Sequence, residues 1–311
     1  MKITTVMYHY VRELSGSKYP EINALLTSEF RNQINFFKKN YTFINIQDCV
    51  DALREDCVEE LPSNSILLTF DDAIIDHYTN VFPILEDEKI QGVFFPPSKP
   101  VSENIVLDIH KIHYIIASTS VENILSYIYT LLDEFREIYK LESNEYYFTK
   151  LALKSRYDSK EVIFIKRLLQ AELSNQLRWI ITDKLFNKYV SSDEKSFSYE
   201  QYMTLEQLQC MAENGMHIGG HGYNHYWLER LSIEEQEKEI DLTLSFLGDV
   251  GVKVKDWVMC YPFGSFNQSL IDILKRKSCS MAFTTIPDYT NLDTNNRFVL
   301  ERFDTNDFAK R

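Results

Sequence analysis

Hydrophobic positions in the first hundred residues alternate between two spacings. Residues 3–11 are rich in β-branched and aromatic side chains and predict a strand. Over residues 29–39, Phe30, Ile34 and Phe37 fall on one face at helical spacing. Residues 65–70 (SILLTF) form a short, nearly continuous apolar run, the pattern of a strand buried on both faces. Residues 92–95 (GVFF) predict the next strand, stopped by Pro96 and Pro97. Strands alternating with helices predict parallel β/α units.

Residues 102–197 read differently. Ile124, Ile128, Leu131, Phe135 and Ile138 make one helical stripe, and Leu169, Leu173, Leu177, Ile180 and Leu185 another; the stretch has neither glycine nor proline. It predicts a mainly helical insertion whose stripes are packing faces. Strand–helix order then returns. Thr204 with Gln207, and Ser232 with Glu235, have the spacing of reciprocal N-terminal caps, while Gly215 and Gly251 supply C-terminal stops. Residues 257–260 (WVMC) predict a strand ahead of a Pro262-Phe263-Gly264 turn. The whole chain, 1–311, is expected to form one α/β domain interrupted at about 102–197.

The apolar fraction of 44% and the charged fraction of 25% suit a globular protein with a sizeable core. A net charge of -13 disfavours nucleic acid and anionic membrane as partners, both being polyanions. The first residues lack an uninterrupted apolar core and no stretch reads as a membrane span, so a cytoplasmic location is expected. The five cysteines are odd in number and show no CxxC spacing, which argues against a disulfide framework or a thiolate zinc site.

Two local features carry chemistry. Asp71 and Asp72 follow a buried strand. Adjacent carboxylates repel each other and are costly to bury without a cation or hydrogen bonds. On the residues alone, the pair reads either as a helix cap or as one metal ligand beside one proton acceptor. His221 and His225 follow Gly219-Gly220, with Gly222 between them. Imidazoles four residues apart can meet on one metal, although isolated H-x3-H patterns also arise by chance or in cores. Together the two features supply two His, a carboxylate and an open position, the usual makeup of a catalytic Zn2+ site, with the second carboxylate left as general base.

Thr69-Phe70-Asp71-Asp72, then Gly92-Val93-Phe94-Phe95, then His221-x3-His225, then Tyr261-Pro262-Phe263-Gly264 occur in the order seen in the NodB-homology family. In these motifs the sequence resembles the polysaccharide deacetylases. The resemblance implies a distorted (β/α)7 barrel with its site at the C-terminal ends of the strands. It also implies Asp71 as general base, Asp72, His221 and His225 as metal ligands, and the main-chain N–H of Phe263 as an oxyanion donor.

Two departures from that family stand out. Cys260 occupies the position of a family Arg that orients the base, and Arg302 is the candidate substitute. No histidine follows His225, where the family usually carries its acid. The Tyr8-His9 pair instead resembles the poly-N-acetylglucosamine deacetylase branch, which implies His9 as the proton donor. Among the other histidines, His77 is expected to pack on a helix, and His110 and His113 to be core or solvated.

The expected reaction is metal-dependent removal of an N-acetyl group from an amino sugar, such as a surface-glycan precursor or oligosaccharide. Zn2+ is the favoured metal, with Co2+, Ni2+ or Mn2+ also suited to the donor set. The alternatives are an O-acetyl esterase or other amide hydrolase on the same site, and a non-catalytic glycan-binding or scaffold protein.

Overall fold

The computed structural model describes residues 2–155 and 158–308. The chain forms two compact units. One comprises Met1–Glu13, Ala24–Asn104 and Tyr199–Arg311; the other comprises Leu14–Asn23 and Ile105–Ser198.

Among the described residues, the first unit is built on nine short strands: β1 (Lys2–Tyr8), β2 (Thr42–Phe43), β3 (Ser65–Asp71), β4 (Gly92–Phe95), β5 (His217–Ile218), β6 (Val258–Cys260), β7 (Met281–Phe283), β8 (Thr290–Asn291) and β9 (Phe303–Asp304). β5, β4, β3 and β1 pair in parallel, and β9 continues the row on the far edge of β1 through Val6–Phe303 and Met7–Asp304. β6 and β7 form a separate parallel pair. Two single bridges join the two sheets into a ring: Gly220 with Met259, and Phe283 with Leu300. The result is a closed barrel of seven parallel strands, with β2 and β8 as short additions to β3 and β1. This is the distorted (β/α)7 barrel expected from the sequence.

Glycine makes the first joint possible. A Cβ on Gly219 would lie 2.8 Å from the Val258 carbonyl oxygen, and one on Gly220 would lie 2.7 Å from Thr243 and 2.9 Å from Trp257. Only a bare backbone lets β5 approach β6 that closely.

Every residue of β3 is buried, as its unbroken apolar run predicts. Alternation sorts its side chains. Leu67 belongs to an inner cluster with Val93, Phe95, Val258, Met281 and Leu300. Phe70 stacks between Tyr8 (5.0 Å) and Phe94 (4.7 Å). Thr69 and Asp71 share the parity of Leu67, which brings a carboxylate to the inner face at the strand's C-terminal end.

The helix starts follow the sequence closely. Thr204 and Gln207 cap each other at 3.3 and 2.9 Å, and Ser232 and Glu235 do so at 3.3 and 2.9 Å. Gly251 ends the helix Ile233–Val250 at φ 90°. The first strand is shorter than predicted. It leaves the ladder after Tyr8, because the next backbone groups bond to Leu25 and to residues 76–80 instead.

The second unit is helical, with Asp108–Ser118, Val121–Tyr139, Asn144–Leu151, Lys160–Arg167 and Asn175–Tyr189 as its main helices. Ile124, Ile128 and Leu131 are buried, but Ile138 is 72% exposed, so the first predicted stripe runs out into solvent. The second stripe is not continuous. Leu173 and Ser174 are extended, the helix restarts at Asn175, and Ile181 rather than Ile180 becomes the buried residue. Buried Lys111 is neutralised by Asp183 and by Glu194 (2.9 Å). His110 is buried, in keeping with a core role. Among the described residues, no helix is long and apolar enough to cross a membrane.

Candidate active site

The C-terminal ends of β1, β3, β5 and β6 converge on one cluster in the first unit. Asp71 is 2% exposed and receives a bidentate guanidinium from Arg302, Nη1 to Oδ1 at 2.9 Å and Nη2 to Oδ2 at 2.8 Å. Arg302 is itself fully buried. Its Nε donates to the Thr284 carbonyl (2.9 Å) and its Nη1 to Thr69 Oγ1 (3.0 Å). Cys260 completes the group, with Sγ 2.9 Å from Arg302 Nη2 and 3.5 Å from Asp71 Oδ2. Burial alone would raise the Asp71 carboxyl, but the charge and hydrogen bonds of Arg302 hold it down at about 2. Burial pushes the Cys260 thiol up despite the neighbouring guanidinium, so it remains a neutral donor.

Asp72 turns the other way. The chain enters the left-handed region at Asp72 (φ 80°) and Ala73 (φ 55°), and the Asp72 N–H donates to the Phe95 carbonyl at 3.1 Å. This sends the carboxylate toward the β5 loop, where Oδ1 lies 3.4 Å from His221 Nε2 and 3.2 Å from His225 Nε2. His221 Nδ1 pairs with the Cys260 carbonyl at 2.8 Å, which fixes the tautomer and leaves Nε2 to face Asp72. Burial opposes a charge on His221, yet the neighbouring carboxylates of Asp72 and Asp71 raise its pKa well above the usual imidazole range.

His225 is also left-handed (φ 58°), as is Phe263 (φ 59°). The two rings meet edge to face at 4.7 Å, and Phe263 stacks on Trp227 at 4.5 Å. Three site residues in a conformation that costs a side-chain-bearing residue of order 1–3 kcal/mol mark a backbone held in place by its surroundings. His9 stands just beyond β1, with Nε2 3.9 Å from Asp72 Oδ2 and a side chain 41% exposed. The structure therefore gathers Asp71, Arg302 and Cys260 in one subgroup, and Asp72, His221, His225 and His9 in another beside it.

Asp72, His221 and His225 offer ligand atoms within 4.8 Å of one another, and so do Asp71, His221 and Cys260. The second set already holds the Arg302 guanidinium, a fixed cation.

Two supporting residues escaped the sequence reading. Glu239, 4% exposed, accepts the N–H groups of Tyr223 (3.0 Å) and Asn224 (2.9 Å), and also the Asn224 side-chain amide, so it braces the loop between the two histidines. Its signal was a charged residue within the buried stripe Gln236, Glu239, Ile240 and Thr243 of its helix. His77, expected only to pack, donates through Nε2 to the His9 carbonyl at 2.8 Å.

Comparison with known proteins places this geometry in context. Residues 179–282 match the family model for polysaccharide deacetylase, a segment holding His221, His225, Cys260 and Phe263. A stretch of 99 residues is 24% identical to YxkH of Bacillus subtilis (strain 168). It makes up 32% of this chain and spans 35% of that protein's length. Among solved structures, the deacetylase PplD of Streptococcus pyogenes, solved with acetate, aligns over 98% of this chain and 92% of its own (TM-score 0.60, 17% identity). IcaB from Ammonifex degensii aligns over 98% and 93% (TM-score 0.58, 18% identity). The BpsB deacetylase domain of Bordetella bronchiseptica aligns over 97% and 95% (TM-score 0.55, 15% identity). At such identities the structural likeness establishes the fold. The resemblance to the polysaccharide deacetylase family, read from four short motifs, is upheld by a family segment and by a shared fold.

Proposed function

We propose that this protein is a metal-dependent carbohydrate deacetylase that hydrolyses an N-acetyl group on an amino sugar. The observation that carries the proposal is the Asp72–His221–His225 cluster standing beside an ionised, Arg-held Asp71. The donor set fits a divalent metal. Tetrahedral Zn2+ with bonds of about 2.0–2.1 Å sets its ligand atoms roughly 3.3 Å apart. The Asp72 oxygen stands 3.4 and 3.2 Å from the two imidazole nitrogens. Two imidazoles and one carboxylate suit Zn2+ first, and Co2+, Ni2+ or Mn2+ as well. A divalent cation bound there would supply Lewis acidity, acidifying a water and polarising the acyl oxygen.

The chain's own groups have the remaining tasks. Asp71 takes the proton of the attacking water as its oxygen bonds to the acyl carbon. Arg302 keeps Asp71 ionised and aimed. The main-chain N–H of Phe263, set by its left-handed turn and the Trp227 stack, serves as oxyanion donor. His9, open to solvent beside Asp72, donates a proton to the nitrogen as the C–N bond breaks, giving acetate and a free amine. An amide leaving group depends on such an acid, which favours an N-acetyl over an O-acetyl substrate.

The test is acetate release from a panel of N-acetylglucosamine oligosaccharides and nucleotide sugars, with Zn2+-loaded, chelated and reloaded protein. Release that vanishes on chelation and returns on reloading is expected. Release indifferent to chelation, or none across the panel from protein with tightly bound metal, would overturn the reading. Glu239→Ala is expected to weaken metal retention by about 10–100-fold, the usual effect of losing an outer-shell support. Competition against a chromophoric chelator reads this directly, and unchanged affinity would remove Glu239 from that role.

A further inference from the structure

The stretch carrying His9 lies outside the sheet, yet it is not loosely held. Its backbone is tied to the element that follows the Asp71–Asp72 pair. His77 Nε2 donates to the His9 carbonyl (2.8 Å), and Val11 N–H donates to Asp76 Oδ2 (3.1 Å). The Arg12 guanidinium reaches the same Asp76 oxygen (2.7 Å), and Asn80 Nδ2 donates to the Val11 carbonyl (2.8 Å). Asp76 is 4% exposed and His77 is fully buried.

Packing alone does not account for His77. Its ring lies against Phe70 (5.5 Å) and Phe94 (5.8 Å), and a phenyl ring would fill that space without the cost of burying a polar group. Burial drives the imidazole strongly to its neutral form, with a pKa lowered to about 4, so a single N–H is aimed at a single carbonyl. The local backbone is unusual as well. His77–Val81 forms a wide π turn closed by Phe82 N–H on the His77 carbonyl, an irregularity that is frequent at functional sites. The turn begins only five residues after Asp72, so one short stretch of chain carries both the carboxylate pair and the anchor of the His9 backbone.

We infer that His77, supported by Asp76 and Asn80, is a positioning residue that sets His9 against Asp72 and the reacting centre. The inference rests on the deacetylase reading, with His9 as the proton donor. Donors displaced by about 1 Å commonly lose two orders of magnitude in rate, so the effect is measurable.

His77→Phe keeps the ring and deletes the donor, while His77→Gln restores an N–H at similar reach. Two probes separate the roles: an N-acetylglucosamine oligosaccharide, whose amine leaves only when protonated, and 4-nitrophenyl acetate, whose phenolate leaves unaided. His77→Phe is expected to lower kcat on the oligosaccharide by about 10–100-fold, with KM, metal content and aryl-ester turnover unchanged. His77→Gln should recover most of the loss. In a His9→Ala background, His77→Phe should cost nothing further, because both act on one proton transfer. Equal loss on both probes, loss of metal, or additive effects with His9→Ala would each overturn the inference. An unaltered protein that releases no acetate from the oligosaccharide would instead sink the deacetylase reading, and this inference with it.

Discussion

Asp71→Asn should retain its metal and lose turnover, whereas Asp72→Ala should lose both together. The carboxylates are adjacent in sequence, yet their surroundings differ, and the proposed tasks differ with them. Asp71 has both oxygens on the Arg302 guanidinium, and Asp72 has one oxygen between two imidazole nitrogens. Removing a general base typically costs about two to four orders of magnitude in rate. Metal analysis of the two purified variants, with acetate release from an oligosaccharide, checks the assignment. Metal loss in Asp71→Asn, or metal retention in Asp72→Ala, would reverse the roles. Asp71→Asn is also expected to be less stable, since it leaves a buried guanidinium without its counter-charge, so folding should be verified by circular dichroism.

Arg302→Met should be the most damaging substitution for stability in this site. Breaking a buried ion pair by removing one partner costs about 3–5 kcal/mol, because the remaining charge is stranded. Here the stranded group is Asp71, and Thr69 Oγ1, the Thr284 carbonyl and Cys260 Sγ each lose a partner as well. Denaturant titration should show a lowered midpoint, with the double variant Asp71→Asn/Arg302→Met less unstable than the sum of the single ones. Additive losses would mean that the two side chains are not coupled. The pair also sets an acid dependence. Its carboxyl is held at about 2 against an ordinary 3.8, so its stabilisation is full above 3.8 and is lost as the pH falls toward about 2. Arg302→Met should remove that part of the acid transition.

Much of the architecture was legible in local pattern. The continuous run at 65–70 predicted a fully buried strand, and the caps at Thr204 and Ser232 opened helices at the expected residues. These features depend on interactions within a few residues, which is why periodicity and capping chemistry expose them. Strand ends were less legible. Residues 9–11 have strand-like composition, but their backbone partners lie on Leu25 and on residues 76–80, far along the chain. The helical stripes failed where burial depends on neighbours, at Ile138 and Ile180.

By itself, the sequence determined the residue types that can do the chemistry and the motif order that points to a barrel. Asp71 and Asp72 stood out because adjacent carboxylates after a buried strand are costly without a cation or hydrogen bonds, and His221 and His225 because imidazoles four residues apart can meet on one metal. Only the tertiary structure decided which residues meet. Cys260 stands where an arginine was expected, and Arg302, just ahead of β9 and 231 residues along the chain, reaches the same carboxylate. His77 and Glu239, unremarkable by composition, become backbone anchors for His9 and for the histidine loop. Such pairings are long-range: ring closure sets them by bringing the C-terminal ends of distant strands to one rim, and no local pattern of hydrophobic and polar residues encodes a partner that far away.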